Sequence, residues 1–131
     1  MKDEIIYINK LKSNKTLFEK EFNQIEKYYI LSSKKEIHEF IEKNPGIIVI
    51  LNALKPHLEK DFSESEYEIH ISYDPEIEND IKLVLTINVD DERFKNGIGD
   101  DIRDLRRKIH PLKRKINLLR ELLIIPGVLN V

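Results

Sequence analysis

Residues 98–125 read IGDDIRDLRRKIHPLKRKINLLRELLII, and how far this stretch stays helical decides the fold. Ile102, Ile109, Ile116 and Leu123 alternate with Leu105, Leu112 and Leu119 at spacings of three and four, the period of an apolar seam on one helix face. Isoleucine at one seam position and leucine at the other is the pairing favoured by two-stranded parallel coiled coils. The flanks oppose that pairing. Arg106, Lys113 and Arg120 on one side and Lys108 and Lys115 on the other are all cations, so two parallel copies repel. The pattern predicts a long basic amphipathic helix over 98–125 that wants an acidic neighbour, in its own chain or on another molecule. Pro111 falls mid-run, where a helix loses about 3 kcal/mol. A kink or a break is therefore expected at His110-Pro111, and Pro126-Gly127 closes the helical region.

Outward from this stretch the charge is strongly segregated. Residues 61–101 carry 3 basic and 13 acidic side chains, whereas residues 102–131 carry 8 basic and 2 acidic ones. Residues 1–60 are close to balanced, and the 131-residue chain sums to −2. A chain polarised in this way pairs its halves or presents one of them to a partner. Its length fits one domain over residues 1–131, helices and a hairpin in 1–97 and the basic helix in 98–125. With no cysteine, disulfides and thiolate chemistry are excluded. No apolar run reaches about 18 residues, so no membrane-spanning helix is expected. Met1-Lys2-Asp3-Glu4 followed by four mostly apolar residues lacks the long apolar stretch of a secretory signal. The expected compartment is the cytoplasm.

Residues 4–9 are rich in β-branched side chains and suggest an edge strand or a frayed terminus. Leu17, Phe18, Phe22, Ile25, Tyr28 and Tyr29 recur at helical spacing and predict a first helix over 15–29. Ser33 and Glu36 have the spacing of a capping box. They precede a second helix that buries Ile37, Phe40 and Ile41 and stops before Asn44-Pro45-Gly46. Ile47, Leu51, Leu54 and Leu58 continue the helical period through 47–62, with a kink or restart expected at Pro56. Tyr67, Ile69, Ile71 and Tyr73 alternate with polar residues, as do Ile81, Leu83, Leu85, Ile87 and Val89. These are the two strands of a hairpin with one apolar face each. Residues 90–101 read as a loop. The expected architecture is α+β: N-terminal helices packed on a short antiparallel hairpin sheet, then the long kinked basic helix.

Tyr29-Ile30-Leu31-Ser32-Ser33, Glu36-Ile37, Glu39-Phe40-Ile41 and Asn44-Pro45 together resemble a group of small prokaryotic proteins. In that group a helix follows the Asn-Pro, and then a hairpin of the kind seen around Tyr73-Asp74-Pro75-Glu76. The resemblance spans about residues 28–89 and implies the helix–Asn-Pro–helix–hairpin core. The group carries no established activity, so the resemblance implies no catalytic residue and no cofactor. The long basic helix departs from the shorter, often acidic C-terminal ends of the group.

Chemistry-bearing patterns are sparse. Asp80-Ile81-Lys82, with Asp74 and Glu36, has the elements of a magnesium-dependent nuclease: carboxylates for the cation and a lysine to orient water. A chain this rich in charge produces such a triplet readily. His38, His57, His70 and His110 lack the i, i+4 histidine pairing of helical zinc sites. Gly97-Ile98-Gly99 is not a phosphate loop, and the serines sit in caps and loops. No metal or cofactor is expected. The function expected instead is a non-catalytic protein–protein interaction module, in the manner of neutralising partners in two-gene toxin systems. Its partner is an acidic protein surface or a second copy in a homodimer. The contact residues expected are Leu105, Arg106, Lys108, Leu112, Lys113, Lys115, Leu119 and Arg120. The alternatives are nucleic-acid binding by the basic helix, with its steep salt dependence, and the nuclease.

Overall fold

In the computed structural model, residues 2–73 and 81–129 are described, and they form six helices and a four-stranded mixed sheet. Helices α1 (Lys2–Ser13) and α2 (Lys15–Tyr28) lead into the short strand β1 (Ile30–Leu31). Helices α3 (Lys34–Lys43) and α4 (Gly46–Asp61) follow, then the hairpin strands β2 (Glu66–Tyr73) and β3 (Ile81–Val89). A short helix α5 (Asp91–Lys95), helix α6 (Ile98–Lys115) and strand β4 (Leu122–Val128) complete the chain. The strands lie in the order β1-β2-β3-β4. Only the central pair is antiparallel; β1 runs parallel to β2, and β4 parallel to β3. Parallel neighbours need a crossover connection. Here α3 and α4 carry the chain from β1 to β2, and α5 and α6 carry it from β3 to β4.

The apolar first turns of α4, Ile47 to Leu51, make it the central helix. Ile47, Ile48, Ile50, Leu51, Leu54 and Leu58 are all buried. It runs through Pro56 as one element, without the expected restart. Phe18, Phe22 and Ile25 of α2, Ile37 and Ile41 of α3, and Ile102, Leu105 and Ile109 of α6 join the same cluster. So do Ile69, Leu83, Leu85, Ile87, Val89, Leu122 and Ile124 from the sheet. Tyr29 is buried with them, and its hydroxyl donates to the Leu51 carbonyl at 2.6 Å.

Besides residues 90–101, which hold α5 and the start of α6 rather than a loop, three expectations are corrected. The sheet is a mixed four-stranded one rather than a hairpin, and the C-terminal element is a strand, not a long kinked helix. Helix α6 passes through Pro111 as one element but ends at Lys115. Asn117 takes the left-handed conformation, φ 59°. The Asn117 amide bonds the Arg114 carbonyl at 3.2 Å, and the Leu118 amide bonds that of Lys113 at 2.9 Å. This is the paired closure by which a helix commonly terminates on a left-handed residue. The turn breaks the heptad phase: Leu118 enters the core while Leu119 is left 45% exposed. Second, residues 4–9 are helical. Ile8 and Leu11 form one buried face of α1, with Asp3 and Glu4 in its first turn and Lys10 and Lys12 in its last, as the helix dipole favours. Third, the Ser33 side chain makes no cap bond; the Glu36 carboxylate instead accepts from the Tyr73 hydroxyl at 2.6 Å.

Candidate interaction surface

Helix α6 carries five of the eight residues expected to bind a partner outside its buried seam or at the seam's edge, and the fold employs several of them internally. Leu105 is 2% exposed, and Leu112 packs against the core. The Arg106 guanidinium donates to the Ile124 carbonyl through both Nε, at 2.9 Å, and Nη2. The Lys113 ammonium donates to the Leu122 carbonyl. Burial lowers the Lys113 pKa from the ordinary lysine value; Arg106 adds to this and Glu121 opposes it. Lys108 faces Asp61 at 3.5 Å, and Lys115 reaches Glu4 at 3.0 Å.

These contacts have a common geometric logic. The amide of Leu83 bonds the Glu121 carbonyl, and the amide of Leu129 bonds the Val89 carbonyl. Odd-numbered positions of β4 therefore turn their backbone groups to β3, and 122, 124 and 126 turn theirs to the open edge of the sheet. Lys113 and Arg106 sit on the first two of these carbonyls, and Pro126 has no amide to offer at the third. Cations and proline are the devices that keep an exposed strand edge from pairing with another chain. Helix α6 is thus the guard of its own edge strand. Its outward cations Arg103 and Arg107 pair with Asp100 and Asp104 one turn back, so the basic stripe is interleaved with acids.

Leu119 and Arg120 remain on the surface, in the turn of residues 116–121. The outer face of the sheet carries the residues that alternate with its core-facing ones. Register places His70, Val84 and Leu123 side by side on this face, and Glu68, Thr86 and Ile125 in the next row beside Ile30. Val84 is buried yet stands outside the main hydrophobic cluster. Leu123 is 42% and Ile30 48% exposed. Val84 and Ile125 lie outside the contact residues that the sequence pattern predicts, and Leu123 lies in its predicted helical seam. The signal that would have revealed them is the alternation of buried Leu122 and Ile124 with Leu123 and Ile125, which becomes legible once residues 122–128 are taken as a strand.

Of the nuclease elements, Glu36 is engaged by Tyr73, Lys82 lies on β3, and Asp74 and Asp80 fall outside the described residues. A groove of about 360 Å³ lies between α3 and the hairpin, lined by Glu36, Phe40, Tyr73 and Ile81 among others. On the opposite flank of α3, Glu19, His38 and Glu42 bring their ligand atoms within 4.8 Å of one another. No helix among the described residues is long and apolar enough to cross a membrane. Comparison with protein-family models, with curated proteins and with solved structures finds no match.

Proposed function

We propose that the chain is a non-catalytic protein–protein interaction module that pairs with a second copy of itself through the outer face of its sheet. The observation that carries this is the pair of exposed side chains Leu123 and Ile30, beside buried Val84 and half-buried Ile125, on the sheet face opposite the core cluster of the described residues. Exposed apolar side chains on a sheet face are what two-sheet packing buries. The guarded edge of β4 supports face-to-face contact over strand addition. A net charge of −2 leaves little overall repulsion between copies. The same proposal places the module in the cytoplasm.

The test is molecular mass in solution by sedimentation velocity, comparing the parent chain with Leu123→Asp. A dimer that becomes a monomer in the variant, with the urea midpoint retained, supports the proposal. A parent chain that is monomeric at hundreds of micromolar, or a variant that stays dimeric, overturns it. A second reading is favoured by Arg114 and Arg120, neither of which has a carboxylate within ion-pair distance among the described residues. In that reading the turn at Leu119 and Arg120 receives an acidic protein. A monomeric chain that captures such a partner, and releases it on Arg120→Glu, would establish it.

A further inference from the structure

We propose that Glu19, His38 and Glu42 form a binding site for one divalent first-row transition metal ion, with zinc the fitting member. His38 and Glu42 lie four residues apart on α3 and so project from one helix face. Glu19 comes from α2, and its Oε1 lies 2.6 Å from His38 Nε2. The His38 ring is set by edge-to-face contacts with Phe18 and Phe22, at centroid distances of 5.3 and 4.7 Å. One donor is thus oriented by the core, and the other two sit on longer side chains with room to adjust.

The dimensions suit a small ion. Donors bound tetrahedrally at the usual zinc distances stand about 3.4 Å apart. The closest pair here is at 2.6 Å and all three donors lie within 4.8 Å, so the required separation falls inside the observed spread. Side-chain torsions of Glu19 and Glu42 are sufficient to reach it. An imidazole nitrogen with two carboxylate oxygens selects zinc and its neighbours over magnesium and calcium, which prefer all-oxygen shells. Two carboxylates and a neutral imidazole carry a charge that a dication cancels. Glu42 is exposed, so the site opens to solvent and leaves the fourth position to water. The bound ion would pin α2 to α3 on either side of β1, adding to the Lys34–Glu26 pair at 2.8 Å that already bridges these helices.

The experiment is calorimetric titration of the full chain with zinc chloride, with cobalt absorption as a spectroscopic check and the thermal midpoint as a second readout. The expected result is one zinc ion per chain and a midpoint that rises with zinc and not with magnesium. Glu42→Gln, on an exposed side chain, should weaken zinc by more than the roughly 10- to 100-fold that loss of an outer-shell partner costs. It should also leave the metal-free midpoint in place. His38→Gln should abolish the tetrahedral cobalt spectrum. A triple variant of His57, His70 and His110 to glutamine should bind zinc as the parent does. Absence of stoichiometric zinc binding, binding that survives both Glu42→Gln and His38→Gln, or binding lost in the triple variant would each overturn the assignment.

Discussion

Replacing Arg106 and Lys113 by methionine, singly and together, separates an internal role for these cations from a role in partner binding. Methionine keeps an aliphatic stem over the strand and removes only charge and donors. Arg106 makes two hydrogen bonds to one carbonyl, that of Ile124, and Lys113 makes one to Leu122. A hydrogen bond from a charged donor contributes about 1.5–3 kcal/mol when well made. Arg106 itself is largely exposed, so water competes, and about 1–1.5 kcal/mol is the expected cost of Arg106→Met. Lys113 is half-buried and partly offsets its bond by desolvation, so about 0.5–1 kcal/mol is expected there. The two cations also repel each other, and removing one relieves the other. Each single variant already gains that relief, so the double variant should cost slightly more than the sum of the single ones, about 2–3 kcal/mol. With a urea slope of about 1.5 kcal/mol per molar for a chain of this size, the midpoint should fall by roughly 1.5–2 M. Circular dichroism in a urea series measures it. The double variant should also form concentration-dependent oligomers, because the carbonyls of 122 and 124 are then open to pairing. A double variant with an unchanged midpoint and no oligomers would refute the edge-guarding role.

Three further outcomes follow from local geometry. Asn117→Gly should stabilise the chain by about 0.5 kcal/mol, since glycine enters the left-handed region freely, whereas Asn117→Val should cost about 1–2 kcal/mol in the same urea assay. A methyl group on Gly127 would collide with Asn88 Oδ1 and lie 2.6 Å from Thr86 Cγ2. Gly127→Ala should therefore cost about 1–3 kcal/mol, and adding Asn88→Ala should recover only part of that loss, because the Thr86 methyl stays in the way. Burial raises Tyr7 and Tyr28 from 10.0 to about 12, with Glu21 adding to the first and Tyr67 and Glu59 to the second. Tyr29 is raised further by burial. In the unfolded chain these phenols ionise near the ordinary value, so their stabilisation is whole below about pH 10 and is lost as pH rises through their folded values. Tyrosinate absorbance of the native chain should lag that of the urea-unfolded chain above this point, and coincident titration curves would refute the assignment.

The parts of the fold that were legible in sequence are those where local period and tertiary burial agree. Phe18, Phe22 and Ile25, then Ile37 and Ile41, then Leu51, Leu54 and Leu58 repeat at helical spacing and are buried at that spacing. The hairpin alternation of Ile69 and of Leu83, Leu85 and Ile87 likewise matches the face that the helices cover. The misread segments are those where a local pattern satisfied two structures. Ile5-Ile6-Tyr7-Ile8 is β-branched enough for a strand, yet only Ile8, one helical turn before Leu11, is buried. Leu122-Leu123-Ile124-Ile125 extends a helical seam or alternates in a strand, and local sequence does not separate the two. The open edge of β3 decides between them, and that edge exists only once the hairpin has formed.

The candidate site failed to read through for a related reason. A helix flanked by cations of one sign looks as though it needs carboxylates, because carboxylates are the acceptors that a sequence displays. Asp61 and Glu4 meet that need for Lys108 and Lys115. For Arg106 and Lys113 the acceptors are the main-chain carbonyls of Ile124 and Leu122, groups that every residue carries and no composition count reveals. Which carbonyls are left over is settled by strand order, since the edge strands of an open sheet present a row of them and β4 is one of the two edges. The charge pattern of α6 and the edge position of β4 are therefore two aspects of one requirement. The pairing proposed above for the outer face, through Leu123 and Ile30, draws on neither of these contacts.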